Sequence, residues 1–240
     1  GSNSAYKSLD AEVAADSPLV YDRLGEPSGT TLQDSSGNGR NGTYTNAPTL
    51  AQTGALAGDI DTAALFAAAS SQYASVPDDA GLSITGALTL EAWVKLANLG
   101  TQRSIIEKFD AGPLAGYYLR VTAANVLEGA TADGAGTTVL TGTTALVAGT
   151  WYHVAYVFDG ANHWLYIDAV QEATAANTRN PTDGAGTLKI GARGNDAGTP
   201  MNGTLDEVAV YASALSQTRI AAHRNAGINT LYGIFQGYIT

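Results

Sequence analysis

The chain has 240 residues with 22 acidic and 12 basic side chains, a formal net charge of −10 and no cysteine. The acidic balance argues against nucleic acid and anionic membrane surfaces as partners, and the lack of cysteine excludes disulfides and thiolate metal sites. No run of about 18 apolar residues is present, so no membrane span is predicted. A chain of this length needs no cross-link, because it buries about 70–75% of its unfolded surface.

The first predicted elements are a short helix over residues 8–16, which Pro18 ends, and a strand over residues 19–24. The run QDSSGNGRNGTY follows at residues 33–44, and its Gly, Asn, Ser and Asp residues predict a loop. The chain resumes with a short predicted strand at residues 42–45. Turn residues then separate short predicted strands at residues 63–66, 73–76, 87–96, 103–109, 116–121, 126–132, 137–141, 151–158, 164–167, 170–175, 187–190 and 203–211.

Short strands at a spacing of about 8–12 residues indicate an all-β sandwich or barrel. The lack of interleaved helices argues against a parallel α/β sheet. One helix is predicted near the end, with Ser216 as its N-cap and Gly227 as its limit. The tail after it is apolar from Leu231 onward. We expect this tail to dock as a terminal strand or to contact a partner.

The predicted strand LTLEAWVKL, residues 88–96, has two different faces because successive side chains in a strand alternate. One face holds only Leu, Ala and Val residues and is predicted to lie in the core. The other holds Thr89, Glu91, Trp93 and Lys95. The pattern therefore predicts a wet side that bears an aromatic residue.

Five local sequence patterns follow one another along the chain, and each occurs once. They are YDRLGEPSG, DSSGNGRNGTY, LTLEAWVK, the paired strands TWYHVAYVFDGANHWLYID, and GTLDEVAVYASALS followed by a helix. Together they resemble the laminin-G-like, concanavalin A-like lectin/glucanase domain over residues 17–227. The resemblance implies an all-β jelly-roll sandwich of two curved antiparallel sheets, here with one short C-terminal helix.

The same resemblance implies a domain plan and a use. Residues 1–16 form an N-terminal segment, whose initial Gly-Ser is typical of an expression remnant, and residues 228–240 form a C-terminal tail. Domains of this family are used mostly to bind glycans, cell surfaces or matrix proteins. They are common in secreted bacterial proteins and phage tail or fibre proteins, so we expect an extracellular or virion-surface location.

Catalysis is not predicted. Glucanases on this fold carry a strand of the form E-x-D-x-E or E-x-D-x-x-E, which sets an acid and a nucleophile about 5–5.5 Å apart. No such run is present. Asp206 and Glu207 are adjacent and so point to opposite faces of a strand. Carboxylates from separate strands remain an open alternative. Of the histidines, His153 is interpreted as structural and the other two as surface residues.

Four side chains are candidate ligand contacts. Trp93 with Glu91 and Lys95 offers an aromatic face and polar groups, which suit a sugar. The alternative is that Trp93 packs under a loop. Tyr117 and Tyr118 are neighbours, so one faces outward, and Tyr118 is the candidate contact. The other two tryptophans are interpreted as packing residues.

A calcium site is predicted between the QDSSGNGRNGTY loop and Asp206. Ca²⁺ takes about 6–8 oxygen ligands, and Asp34, Asn38 and Asp206 supply three. Gly37 and Gly39 allow backbone carbonyls to turn inward. The family resemblance places Asp206 beside the loop. The alternative is that both aspartates only cap turns.

A second class of function also fits the sequence. The domain could serve as a decoration or spacer of a virion or surface appendage without binding sugar. The apolar tail favours attachment to a larger assembly or self-association. A glycan or cell-surface protein is the expected partner under the first reading, and another subunit is the expected partner under the second.

Overall fold

The predicted sandwich is confirmed. The computed structural model describes residues 7–56 and 58–228, and these form two antiparallel sheets of eight strands each, with two helices. The strands are β1 Val20–Asp22, β2 Thr31–Leu32, β3 Gly42–Thr45, β4 Thr49–Thr53, β5 Thr62–Phe66, β6 Tyr73–Val76, β7 Leu88–Leu96, β8 Arg103–Ala111, β9 Leu114–Val121, β10 Leu127–Asp133, β11 Thr137–Thr141, β12 Trp151–Phe158, β13 Asn162–Ile167, β14 Val170–Ala176, β15 Leu188–Ile190 and β16 Gly203–Tyr211. The helices are α1 Leu9–Ala15 and α2 Gln217–Ile228.

The first sheet has the order β14-β13-β12-β7-β16-β5-β4, with β1 also paired to β16. The second has the order β11-β10-β9-β8-β15-β6-β3-β2. Because Val20 of β1 lies opposite Val210 of β16, the two ends of the domain meet in one sheet. Two short strands, β2 and β4, were not predicted; the side chains of β4 alternate only between exposed and half-buried.

The core lies between the sheets and follows the alternation read from the sequence. The apolar face of β7 is buried there, as predicted. Tyr117 also points into this core, where its hydroxyl donates to the carbonyl of Leu82. Tyr118 therefore lies on the outer face of the second sheet, which settles the register that the sequence left open.

A second apolar cluster covers the outer face of the first sheet. Leu9 and Val13 of α1 and Ile220 of α2 pack there against Trp93 and other outer-face residues. The predicted wet side of β7 is thus wrong: α1 and α2 cover it, and Trp93 is only 4% exposed.

The predicted helices are confirmed, and Ser216 caps α2 through a bond from the N–H of Arg219 to its hydroxyl. In the part of the chain that the structure describes, no helix is long and apolar enough to cross a membrane. The tail prediction lies outside the described residues.

Candidate functional site

The loop at residues 33–44 is organised around one carboxylate. Oδ1 of Asp34 accepts the N–H of Tyr21 (3.2 Å) and of Ser36 (2.9 Å), and Oδ2 accepts the N–H of Arg40 (2.8 Å) and the hydroxyl of Ser36 (2.8 Å). Partial burial opposes ionisation, but these bonds hold the pKa of Asp34 below its usual value. The arrangement matches an aspartate that caps a turn.

The rest of the loop folds against the start of β1. The amide nitrogen of Asn38 donates to the carbonyls of Pro18 (2.9 Å) and Leu19 (3.1 Å). Gly37 and Gly39 have positive φ angles of 87° and 71°, a conformation that glycine adopts without strain. The loop thus closes on its own donors and on the carbonyls before β1.

Asp206 lies in a separate network on β16. Its Oδ2 accepts the N–H of Ala55 (2.7 Å), while its Oδ1 is buried without a partner. The nearby positive charge is Arg23, whose guanidinium pairs with Asp61 (2.9 Å) and Glu207 (2.9 Å) and also with Asp59. Burial, followed by the charge of Glu207, raises the pKa of Asp206.

The predicted calcium ligands therefore stand in two networks. Among residues 7–56 and 58–228, no three His, Cys, Asp or Glu side chains are grouped as a metal site requires. Among the buried carboxylates, Asp206 has a free Oδ1, and Asp22 has two free oxygens. Asp22 forms a backbone bridge with Asp34. The free oxygens of Asp22 thus lie on the core face beside the loop and suit a cation. Asp206 lies on the outer face of the sheet, away from the loop, and the carboxylate of Asp34 already accepts four bonds.

Glu91 is the centre of a buried network under the helices. It is 2% exposed and accepts bonds from Nδ1 of His223 (2.9 Å) and the hydroxyl of Tyr211. Nε2 of His153 lies 3.5 Å from its other oxygen. Burial alone would raise the pKa of Glu91, but the charges and bonds of His223 and His153 lower it. Glu91 is a structural carboxylate here.

The network continues from the sheet to both helices. Nε2 of His223 contacts Asp16 (2.9 Å), and Arg219 bridges Asp16 (2.8 Å) and Glu12 (2.7 Å). His223 is fully buried, so its interpretation as a surface residue is wrong; His163 is also buried, against Tyr156. The network fastens α1 and α2 onto the first sheet.

Three of the four predicted ligand contacts thus lie on this covered face. Trp93 and Glu91 are closed off by α2, and the Cβ of a residue at Gly227 would come 2.7 Å from the Trp93 ring. Lys95 is half-buried, with its ammonium 4.6 Å above the Trp151 ring. These side chains serve packing, which was the alternative for Trp93.

The fourth predicted contact, Tyr118, faces outward on the second sheet, but it is only 2% exposed because a polar and aromatic group covers it. The Arg120 guanidinium stacks 4.0 Å above the Tyr118 ring, and Phe109 meets that ring edge-on at 5.2 Å. Arg120 also pairs with Glu128 on β10, its Nε lying 2.7 Å from Oε1. We call Phe109, Tyr118, Arg120 and Glu128 the Arg120 patch.

A buried carboxylate lies beside this patch. Glu107 on β8 is opposite Tyr118 in the register and is fully buried. Its Oε1 accepts the hydroxyl of Ser104 (2.5 Å), whereas its Oε2 has no partner. Burial raises the pKa of Glu107 to about 7. The raised pKa of this buried carboxyl, next to an arginine–aromatic stack, makes this part of the second sheet a candidate site.

The comparisons with known proteins agree with this architecture. A family model for laminin G domains, described as the concanavalin A-like lectin/glucanases superfamily, matches residues 68–221. The chain belongs to this family. A search of curated protein sequences found no match to this chain.

Several solved structures share the fold. The binding domain of Paraclostridial Mosquitocidal Protein 1 superposes with a TM-score of 0.71 at 13% identity, covering 89% of this chain and 53% of that chain. Domain 4 of AbnA, an extracellular arabinanase from Geobacillus stearothermophilus, was solved with arabinotriose; it gives 0.65 at 20% identity, covering 86% and 98%. The binding domain of botulinum neurotoxin DC in complex with SialylT gives 0.66 at 13% identity, covering 88% and 51%.

This laminin-G-like domain thus spans about half the length of the toxin binding domains that it matches. At these identities the likeness establishes the fold alone. The match covers 98% of domain 4 of the arabinanase, so the same fold forms a complete domain in that protein.

Sequence reasoning found Tyr118 but missed the other members of the patch. Alternation in β9 places Tyr118 and Arg120 on one face, so that part of the signal was present. Phe109 and Glu128 join them only through the pairing of β8 and β10 with β9. That register is a tertiary feature that the sequence pattern does not specify.

Proposed function

We propose that this laminin-G-like domain is a non-catalytic binding module that recognises a glycan or another cell-surface ligand. The observation that supports it most is the Arg120 patch. In the described part of the chain, α1 and α2 pack on the first sheet, and the patch lies on the second. Arg120 and Glu128 remain 20% and 15% exposed at their side chains.

The chemistry of the patch suits a sugar. A guanidinium presents several N–H donors in a fixed plane, and a carboxylate offers acceptors, so the pair can bond neighbouring hydroxyl groups. Phe109 adds a half-exposed aromatic edge against which C–H groups can pack. Small-molecule sites commonly combine such an aromatic surface with a few oriented polar groups.

We further propose an extracellular or virion-surface setting, such as a phage tail or fibre or a secreted bacterial surface protein. The support is the acidic, cysteine-free composition and the use of the family. The gene neighbourhood discriminates between the two settings: tail or fibre genes indicate a phage, whereas a secretion signal upstream indicates a bacterial surface protein.

Calcium remains a proposal with a structural role. Its support is the two carboxylate oxygens of Asp22, which are buried without partners next to Asp34. An ion would supply the positive charge that these oxygens lack. Asp22 would hold it as a carboxylate ligand, and the neighbouring loop carbonyls would complete an oxygen shell of the kind Ca²⁺ prefers. Asp206 would take no part, because it lies opposite Trp93 on the outer face of the sheet, whereas Asp22 lies opposite Val208 on the core face.

Binding to a glycan array tests the function. We expect specific hits for the wild type, lost or weakened at least about tenfold in Arg120→Ala, a change of about 1.4 kcal/mol. Arg179→Ala is the matched control. Arg179 also pairs with a carboxylate, that of Asp133 (2.8 Å), but lies outside the patch. Hits should survive in this control.

The assembly alternative predicts a different result. A spacer or decoration domain would give no array hits and would form a stable oligomer, measured by light scattering after gel filtration. A monomer with hits that depend on Arg120 supports the binding module. Hydrolysis of an array glycan by purified protein would contradict the non-catalytic part of the proposal.

A further inference from the structure

A cavity of about 430 Å³ lies on the outer face of the first sheet, next to the segment that leads into α2. Trp164 and Tyr166 form its floor; they are two residues apart on β13 and so point to the same side. Val157, opposite Trp164 on β12, and Leu215 add apolar wall. This volume is within the range of about 300–1,000 Å³ typical of small-molecule sites.

The cavity is open beside Trp164. Trp164 is half-buried, whereas Tyr166 is 5% exposed and anchored in the cluster under the helices. Packed regions of proteins leave few voids larger than a water molecule. Part of the Trp164 ring therefore faces the open space, where an occupant of the cavity can contact it.

Polar groups with unused bonding capacity stand at the rim. Oδ1 of Asp159 accepts the N–H of Ala161 (2.8 Å) and of Asn162 (2.7 Å), which leaves Oδ2 without a partner among the described residues. The amide nitrogen of Gln217 holds a backbone carbonyl, which leaves its amide oxygen free. Ser216 accepts the capping bond of α2, so its own O–H remains a donor.

The floor adds one more donor. The Tyr166 hydroxyl is protonated at neutral pH, as that of tyrosine ordinarily is, and burial raises its pKa further. A sugar ring has a face of C–H groups and an edge of hydroxyls. An aromatic wall next to a carboxylate, an amide oxygen and two hydroxyls is complementary to both parts of such a ring.

We propose that this cavity binds one sugar ring of a glycan, with Trp164 packed against the C–H face and the rim side chains bonded to the hydroxyls. The proposal rests on the proposed glycan-binding function and gives it a second site. The cavity is on the outer face of the first sheet and the Arg120 patch on that of the second. A domain with both could therefore engage two branches or two chains at once.

Titration calorimetry with arabinotriose, with sialyllactose and with the strongest array glycan tests the cavity. We expect Trp164→Ala to weaken binding of at least one probe by about tenfold or more, and Asp159→Asn to weaken it by less. Trp164→Phe keeps an aromatic wall and should retain part of the affinity. Trp151→Ala is the control, because Trp151 is a half-buried tryptophan on the same sheet but outside the cavity.

The outcomes separate this site from the function as a whole. Array hits that depend on Arg120 but are unchanged in Trp164→Phe, Trp164→Ala and Asp159→Asn overturn the cavity proposal and leave the binding module standing. Hits that depend on Trp164 support it. If no glycan binds the wild type, both proposals fail. Should Trp164→Ala not fold, the milder Trp164→Phe and Asp159→Asn variants decide.

Discussion

Glu91 and Asp22 are two buried carboxylates in neighbouring parts of one sheet, and their surroundings shift their pKa values in opposite directions. Ala209 of β16 pairs with Glu91 on one side and with Tyr21, the residue before Asp22, on the other. Glu91 faces the helices and accepts several bonds, with its pKa lowered. Asp22 has no partner, and burial, followed by Asp34 and Glu26, raises its pKa.

The difference shows that burial does not fix the state of a carboxylate. Desolvation disfavours the charged form in both cases, but two histidines beside Glu91 reverse its effect. The two networks also have different roles. The charges around Glu91 fasten the helices to the sheet, whereas Asp22 is an unsatisfied group at the position where a cation is proposed.

The largest expected change in the free energy of unfolding comes from removing a partner of Glu91, because Asp22 shows what a buried carboxylate without partners is like. His223→Gln removes the cation between Glu91 and Asp16 and leaves both carboxylates short of a partner. Breaking a buried ion pair from one side costs about 3–5 kcal/mol. We expect a loss of this size in the free energy of unfolding, measured with urea at pH 6.

His163→Gln is the matched control, because His163 is equally buried but contacts Tyr156 and Asn177 rather than a carboxylate. Burial lowers the pKa of His223 while Glu91 and then Asp16 raise it, and the net direction is upward. Its stabilisation is therefore complete below the unfolded pKa of about 6.5 and is lost as pH rises through the folded pKa. A gap between wild type and His223→Gln that widens with pH contradicts this.

The second largest expected change in the free energy of unfolding comes from giving Asp22 a positively charged partner, as Glu91 has. If calcium binds as proposed, a concentration of about 100 Kd adds about 2.7 kcal/mol to the free energy of unfolding. Thermal melts in Ca²⁺ and in excess chelator measure it as a shift of several degrees. Asp22→Asn should abolish most of the shift, whereas Asp206→Asn should retain it. Identical melting temperatures in the two buffers would leave Asp34 as a turn cap and nothing more.

A third experiment removes the charge of Asp22. In chelator, Asp22→Asn should be more stable than the wild type at neutral pH, because the wild type must neutralise a buried carboxylate to fold. The raised folded pKa means that wild-type stability is greatest below the unfolded pKa of about 3.9 and falls as pH rises through the folded value. The gap should grow by up to about 1.4 kcal/mol per pH unit within that window.

Unfolding free energies of both proteins across the pH range test this point. Val20→Ala in the same strand is the control, since it alters packing without changing a charge. A gap between Asp22→Asn and the wild type that is constant with pH would show that Asp22 does not titrate on folding.

These contrasts explain how far the sequence could be interpreted. Alternation in β7 correctly predicted its core face, because that face depends only on the strand period. The other face was wrong because its cover, α1 and α2, lies about 80 residues before and 120 residues after it in the chain. Asp22 sits in a predicted strand between Val20 and Leu24, so its inward direction was readable from the pattern. The sequence could not predict that Asp22 lacks every hydrogen-bond partner, because this depends on how other strands pack around it.

The smallest effect concerns a carboxylate at the surface, Glu128 in the Arg120 patch. Its arginine partner is partly exposed, and such pairs contribute about 0–1 kcal/mol. The stacking of Arg120 over Tyr118 adds a contribution of about 0.5–1 kcal/mol. We therefore expect Arg120→Ala to lose about 1 kcal/mol of unfolding free energy and Glu128→Gln to lose less.

Urea unfolding of the two single variants and the double variant measures the coupling between them. A loss in Arg120→Ala as large as that in His223→Gln would make this patch a structural network like that of Glu91. A small loss, together with a large loss of glycan binding, would identify side chains that are retained for the ligand rather than for the fold.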